Sequence, residues 1–188
     1  MKCLIRFGII AILIAVMQIS NLKAQQNDNI KYGVELDALP YLSGGYYGSG
    51  WVGYNNFRFR LVAAKVKTPS FVVTDGFENL DTKAYAFIVD YFPCEKRDNL
   101  TGLWLGAGIE YWDNSITNSF NHQSAGFNSY QFTLGGGYVF NVWENLYLNP
   151  WIAGHLEIAG DRSVFAGTRE YKPHIVLPEA SIKLGWQF

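Results

Sequence analysis

Along residues 177–188, apolar and polar side chains alternate. Pro178, Ala180, Ile182, Leu184, Trp186 and Phe188 share one parity, and Glu179, Ser181, Lys183, Gly185 and Gln187 share the other. Successive side chains of a strand point to opposite faces. This pattern predicts a strand with one greasy and one polar face, as in a barrel wall between hydrocarbon and a polar interior. The same alternation recurs upstream and predicts eight strands.

The first runs from about Ile30 to Leu39, with Tyr32, Val34, Leu36 and Ala38 opposite Gly33, Glu35 and Asp37. Residues 41–50, rich in Gly and Ser, read as a loop. The second strand, Trp51 to Leu61, places Trp51, Phe57, Phe59 and Leu61 on one face and Tyr54, Arg58 and Arg60 on the other. Residues 65–70, with Pro69, read as a turn before a short third strand, Phe71 to Thr74. The fourth, Lys83 to Phe92, sets Tyr85, Phe87, Val89 and Tyr91 against Asp90. The fifth, Gly102 to Trp112, sets Leu103, Leu105, Ile109 and Tyr111 against Trp104, Glu110 and Trp112. The sixth spans Phe127 to Phe140, with Gln131 inward. The seventh, Leu146 to Ile158, turns Asn149, His155 and Glu157 inward, and the eighth starts near His174. Pro150 marks a bulge or weakly paired stretch, because proline cannot donate to a ladder.

Loop lengths give direction. With both termini in the periplasm, the periplasmic turns are 65–70, 93–99 and 141–145. The outward loops are 41–50, 75–82, 113–126 and 160–172, a longer set, as bacterial barrels require.

The N-terminus supports export. Lys2 and Arg6 precede an apolar run from Phe7 to Val16, and Ala24 is a small residue at a cleavage point. This is the form of a signal peptide over residues 1–24. The run is short for a spanning helix, which needs about 20 apolar residues. Cleavage would leave about 164 residues, one domain, with Cys94 as its single cysteine. One cysteine forms no internal disulfide, and no Cys/His spacing suggests a metal. Loss of Lys2, Arg6 and Lys23 takes the formal charge from −1 to about −4, which gives no basis for nucleic-acid binding. Aromatics are as frequent as charges (16% each). That charge content is low for a soluble domain. No later segment is a long apolar run, so helical spans are excluded.

The inward set carries the chemistry: Glu35, Asp37, Arg58, Arg60, Asp90, Glu110, Gln131, Asn149, His155, Glu157, Glu179 and Lys183. Eight strands enclose only room for side chains or one small ligand, which disfavours a diffusion pore. Buried charges must pair or hold water. The set therefore reads as a polar plug, with a ligand or ion site as the functional alternative. His155 beside Glu157, with Ser163 or Ser181 as nucleophile, is the candidate hydrolytic arrangement. The favoured placement of His155 is a hydrogen bond to Glu157 or Asn149.

The whole exported chain resembles the small eight-stranded outer-membrane barrels of Gram-negative bacteria, of the OmpA-domain and OmpX kind. The resemblance rests on the signal peptide, the alternating strands and the terminal Gly185-Trp186-Gln187-Phe188. Residues 102–112 and 147–151 look like stretches of uncharacterised members. The resemblance implies an all-β, up-and-down transmembrane barrel in contact with outer-membrane lipids. It also implies a terminal strand, through Trp186 and Phe188, that the barrel assembly machinery reads. It implies no cofactor, and it leaves the role open between structure and surface interaction. Tyr46, Tyr47, Phe120, Phe127 and Phe165 are the loop aromatics that would meet an extracellular ligand. Outer-membrane lipid A deacylases carry serine two residues after the histidine. Glu157 stands there, against an enzymatic reading. A soluble lipocalin-like carrier is the remaining alternative, with the aromatic rows turned inward.

Overall fold

The computed structural model describes residues 30–68, 73–93 and 100–188. The expected signal peptide, Phe71, Val72 and most of the 93–99 turn lie outside the described residues.

Eight strands close into an antiparallel barrel: β1 (Ile30–Asp37), β2 (Tyr46–Tyr54), β3 (Phe57–Thr68), β4 (Phe77–Tyr91), β5 (Gly102–Asn118), β6 (Ser124–Trp143), β7 (Leu146–Gly160) and β10 (Val176–Gln187). Each pairs with its chain neighbour, and β10 closes on β1 from Gly33↔Gln187 to Asp37↔Lys183. A five-residue helix, α1 (Ala38–Leu42), follows β1, and a hairpin of β8 (Val164–Ala166) and β9 (Arg169–Tyr171) sits between β7 and β10. The start of β1, the end of β10 and the β2–β3, β4–β5 and β6–β7 connections lie at one end, the turn end. The other connections lie at the loop end.

The faces follow the alternation. Val34, Leu36, Phe59, Phe87, Leu105, Phe132, Leu134, Ile152, Ile182 and Trp186 are exposed on the outer wall. Glu35, Asp37, Arg58, Arg60, Asp90, Asn149 and Lys183 are buried within. An apolar surface of this extent suits hydrocarbon and not water. The aromatic rows do not line the lumen, so the lipocalin-like inversion is not the arrangement adopted.

Strand boundaries differ from the sequence reading in the first third. Trp51–Leu61 is not one strand. It turns back at Asn55-Asn56, with Asn55 in the left-handed region (φ 53°) that asparagine tolerates. Tyr54 pairs with Phe57, so the inward parity flips: Trp51 points in, while Phe57, Phe59 and Leu61 point out. Phe92 locks this turn, its N–H donating to Asn56 O while Asn56 Nδ2 donates to Phe92 O. The Gly-rich 41–50 stretch is largely α1 and the first half of β2. Asp37 caps α1 by accepting from Leu39 N–H. Gly48 and Gly50 sit in β2, where a side chain would meet no atom.

Residues 65–68 continue β3, so the expected 65–70 turn is not at the turn end. Val73 and Thr74 are outside any strand. The 75–82 and 113–126 loops are mostly strand, since β4, β5 and β6 extend past the greasy belt as ladders with polar faces. At Pro150 the expectation of weak pairing is met on one side. Pro150 pairs with Ile182 of β10, but β6 and β7 form no pair between Gly137↔Trp151 and Phe140↔Leu148.

Gly137 is required by packing. A Cβ there would lie 2.5 Å from Pro150 O and 2.9 Å from the Trp104 ring, whereas at Gly154 it would meet nothing. Gly137→Val is therefore expected to cost about 1–3 kcal/mol. Gly154→Val should change little. Urea unfolding in lipid, followed by tryptophan fluorescence, measures both.

Candidate functional site: the barrel interior

The turn end of the lumen is closed by an aromatic floor. Trp51 (β2), Phe92, Trp104 (β5) and Tyr147 (β7) pack with Leu100 and Val139 into one buried cluster. Gly137 lets Trp104 lie flat against the wall, and Gly185 does the same for Tyr147. The indole N–H groups have partners: Trp51 donates to Tyr147 Oη (2.8 Å) and Trp104 to Asn149 Oδ1 (2.8 Å).

Four charges rest on this floor. Arg58 and Arg60, two apart on β3, point the same way and share Asp90 of β4. Arg58 Nε and Arg60 Nε both donate to Asp90 Oδ2 at 2.7 Å, and Arg60 Nη2 donates to Oδ1 at 2.9 Å. Arg58 Nη1 also donates to Glu35 Oε1 at 3.0 Å, and Arg60 Nη1 lies 3.7 Å from Glu35 Oε2. Tyr147 Oη and Asn149 Nδ2 donate to Glu35 Oε1, each at 3.0 Å. The Arg58 guanidinium stands over the rings of Trp51, Phe92 and Trp104 at 5.2–5.8 Å. These contacts bring charge-assisted hydrogen bonds and cation–π attraction to ions that have left water.

Asp37 and Lys183, paired in register, sit beside this quartet but outside ion-pair contact. Asp37 accepts from Trp151 Nε1 (2.8 Å), the Ser181 hydroxyl and Leu39 N–H. Lys183 Nζ lies 3.9 Å from the Trp151 ring centre and 5.5 Å from that of Tyr47.

A second group lies nearer the loop end. Glu110 accepts from the Thr133 hydroxyl (2.7 Å) and from Trp112 Nε1 (2.7 Å). Thr133 has spent its one proton on Glu110, so it accepts from His155 Nδ1–H at 2.9 Å. His155 Nε2 faces Glu179 Oε2 at 3.0 Å. Glu157 is not part of this group, and Asn149 pairs with Trp104 and Glu35, so neither expected partner holds His155. The reason is register. Thr133, not Gln131, is opposite His155, and Glu157 sits a step closer to the rim. Neither candidate nucleophile contacts the imidazole: Ser181 is bound to Asp37, and Ser163 is exposed in the loop.

Between these groups the lumen holds a cavity of about 460 Å³. Its β3–β4 wall is apolar, made by Val62, Ala64, Val66, Ala84, Ala86 and Ile88, a stretch that the sequence analysis did not single out. The signal was present: Val62, Ala64 and Val66 share the inward parity of Arg58 and Arg60, and Ala84, Ala86 and Ile88 that of Asp90. The opposite wall carries Glu110, Gln131, Thr133, His155 and Glu179. The expected side-chain-filled polar plug is thus corrected to a charged floor beneath a two-faced cavity.

At the loop end, Ile116, Phe127, Ala166 and Tyr171 form a buried cluster that docks the β8–β9 hairpin, with Asn118 Nδ2 donating to Ala166 O (3.0 Å). Of the expected loop aromatics, Tyr47 and Phe127 are buried. Tyr46, Phe120 and Phe165 are exposed, and Phe120 lies under the Arg169 guanidinium at 4.3 Å. Phe188 stacks on Tyr32, and its N–H donates to Tyr32 O, while Trp186 faces outward on the belt.

Two solved structures share this architecture. The N-terminal β-barrel domain of Pseudomonas aeruginosa OprF aligns over 87% of this chain and 100% of its own, with 14% identity and a TM-score of 0.52. Neisserial surface protein A aligns over 85% and 95%, with 11% identity and a TM-score of 0.51. The fold is that of the small eight-stranded outer-membrane β-barrels. No family model and no curated protein sequence matches the chain.

Asp90 holds two arginines in a buried site. Removing one partner of a buried ion pair leaves the other charge uncompensated. Asp90→Ala is expected to destabilise the barrel by about 3–5 kcal/mol. Asp113→Ala, which breaks the exposed pair with Lys83, should leave the unfolding midpoint nearly unchanged. Unfolding midpoints in urea distinguish the two.

Proposed function

We propose that this chain is an integral outer-membrane barrel that is closed to through-flow and holds its loop end outside the cell as an interaction surface. The observation that carries the reading is the floor. Arg58 is fully enclosed by two carboxylates and three aromatic rings, and the guanidinium and the rings together occupy the lumen where a pore would need water. Eight strands leave little width to spare. The greasy outer belt supports membrane insertion, and the barrel neighbours support the outer membrane as its location.

The connections support an orientation. The short β2–β3 and β6–β7 turns share an end with the start of β1 and the end of β10, and the β8–β9 hairpin with exposed Phe165 and Phe120 lies at the other. Short turns on the periplasmic side and longer loops outside are the rule for such barrels. In this reading Trp186, on the outer face of the closing strand, and Phe188, just past its end, form the segment that the assembly machinery engages, and outer-membrane lipids contact the belt. An extracellular partner would meet the hairpin and the exposed aromatics.

Two measurements test this. In planar bilayers the purified barrel should give no steady ionic conductance, and a steady conductance in the native chain would overturn the closed reading. In a Cys94→Ser background, cysteine at Phe165 should react with a membrane-impermeant maleimide on intact cells. Cysteine at Glu144 should react only after permeabilisation. The reverse pattern would invert the orientation.

A further inference from the structure

Lys183 is 2% exposed, and among the described residues its ammonium has no hydrogen bond and no carboxylate within 4 Å. That is an unusual state for a buried lysine, since buried charges are normally paired. Its neighbours explain why. Arg58 and Arg60 take up Asp90 and Glu35. The remaining acid, Asp37, is occupied by an indole N–H, a serine hydroxyl and a backbone N–H. Only the Trp151 and Tyr47 faces are left to the ammonium, and both rings line the 460 Å³ cavity with it. On the polar wall, Gln131 Oε1 is also buried without a partner.

We propose that this cavity is a binding site for a small monocarboxylate amphiphile, with its carboxylate on Lys183 Nζ and its apolar body along the Val62, Ala64, Ala84 and Ile88 wall. The volume lies in the range of small-molecule sites, about 300–1,000 Å³. One free ammonium suits one negative charge. Arg60 cannot add a second cationic arm, because Asp90 and Glu35 hold its nitrogens. Glu110 and Glu179 across the cavity further disfavour a dianion such as phosphate. The apolar wall gives a short acyl chain the burial that a bare anion such as acetate lacks.

The probe is octanoate, titrated calorimetrically into the full barrel in phosphatidylcholine nanodiscs, with empty nanodiscs subtracted. Octanoate should bind saturably, and acetate and 1-octanol at least roughly tenfold more weakly, the equivalent of losing the apolar or the charged contact. Lys183→Met keeps the stem, strands no contacting carboxylate, and should weaken octanoate by a similar factor. Ala84→Phe fills the apolar wall and leaves Lys183 in the chain, and should weaken octanoate as strongly. Retained heat-modifiable gel migration certifies each variant as folded, and the two variants probe the charged and the apolar contact separately. Absence of octanoate binding to the native barrel overturns the proposal. So does equal affinity for 1-octanol, or binding unchanged in either folded variant.

Discussion

Hydrocarbon offers a peptide group no hydrogen-bond partner. Each backbone N–H and C=O that crosses it must be met by another strand, which leaves a closed sheet as the β solution. Closure of β10 on β1 satisfies that demand and sets the conditions for everything inside. Eight strands give a narrow lumen, alternation sends every second side chain into it, and whatever charge arrives must find its partner there. The Arg58–Arg60–Asp90–Glu35 quartet, seated on Trp51, Phe92 and Trp104, is how this sequence meets that condition. The aromatic faces and the carboxylates supply what water supplied outside.

The fold class was legible because its signal is a period of two repeated many times, and a misplaced boundary does not erase it. The terminal strand shows this best. Every second residue from Pro178 to Phe188 is apolar, and β10 covers the stretch as far as Gln187. The partition into strands failed where the local chemistry is ambiguous. Asn55-Asn56 is a hairpin turn hidden inside a run that alternates on both sides, and glycine and serine in residues 48–50 look like loop although the ladder on either side holds them in β2. Charged residues such as Lys65, Lys67, Lys83 and Asp113 mark strand that has left the greasy zone, and polarity alone does not separate this from a turn.

The interior was legible in membership more than in pairing. Glu35, Asp37, Arg58, Arg60, Asp90, Asn149 and Lys183 are inward because parity says so. Which of them touch depends on the stagger between strands, and alternation carries no information about stagger. His155 illustrates the gap. Glu157 is near it in sequence, yet Thr133 on β6 and Glu179 on β10 hold the imidazole, and Glu110 on β5 completes the group through Thr133. The cavity depends on the same quantity, because the small residues of β3 and β4 leave a void only when they face the long polar side chains of the far wall.

The floor also says something about order of assembly. Glu35 stands on the first strand, and its hydrogen-bond partners Tyr147 and Asn149 lie 112 and 114 residues further on. No growing chain of consecutive hairpins can join them, since β1 reaches β7 only around the seam with the last strand. Ordering so distant a pair requires the intervening loop entropy to be lost first. The completed glutamate cluster is therefore a molecular signature of the finished ring, and an arc missing its final staple would hold an acid with half its companions absent.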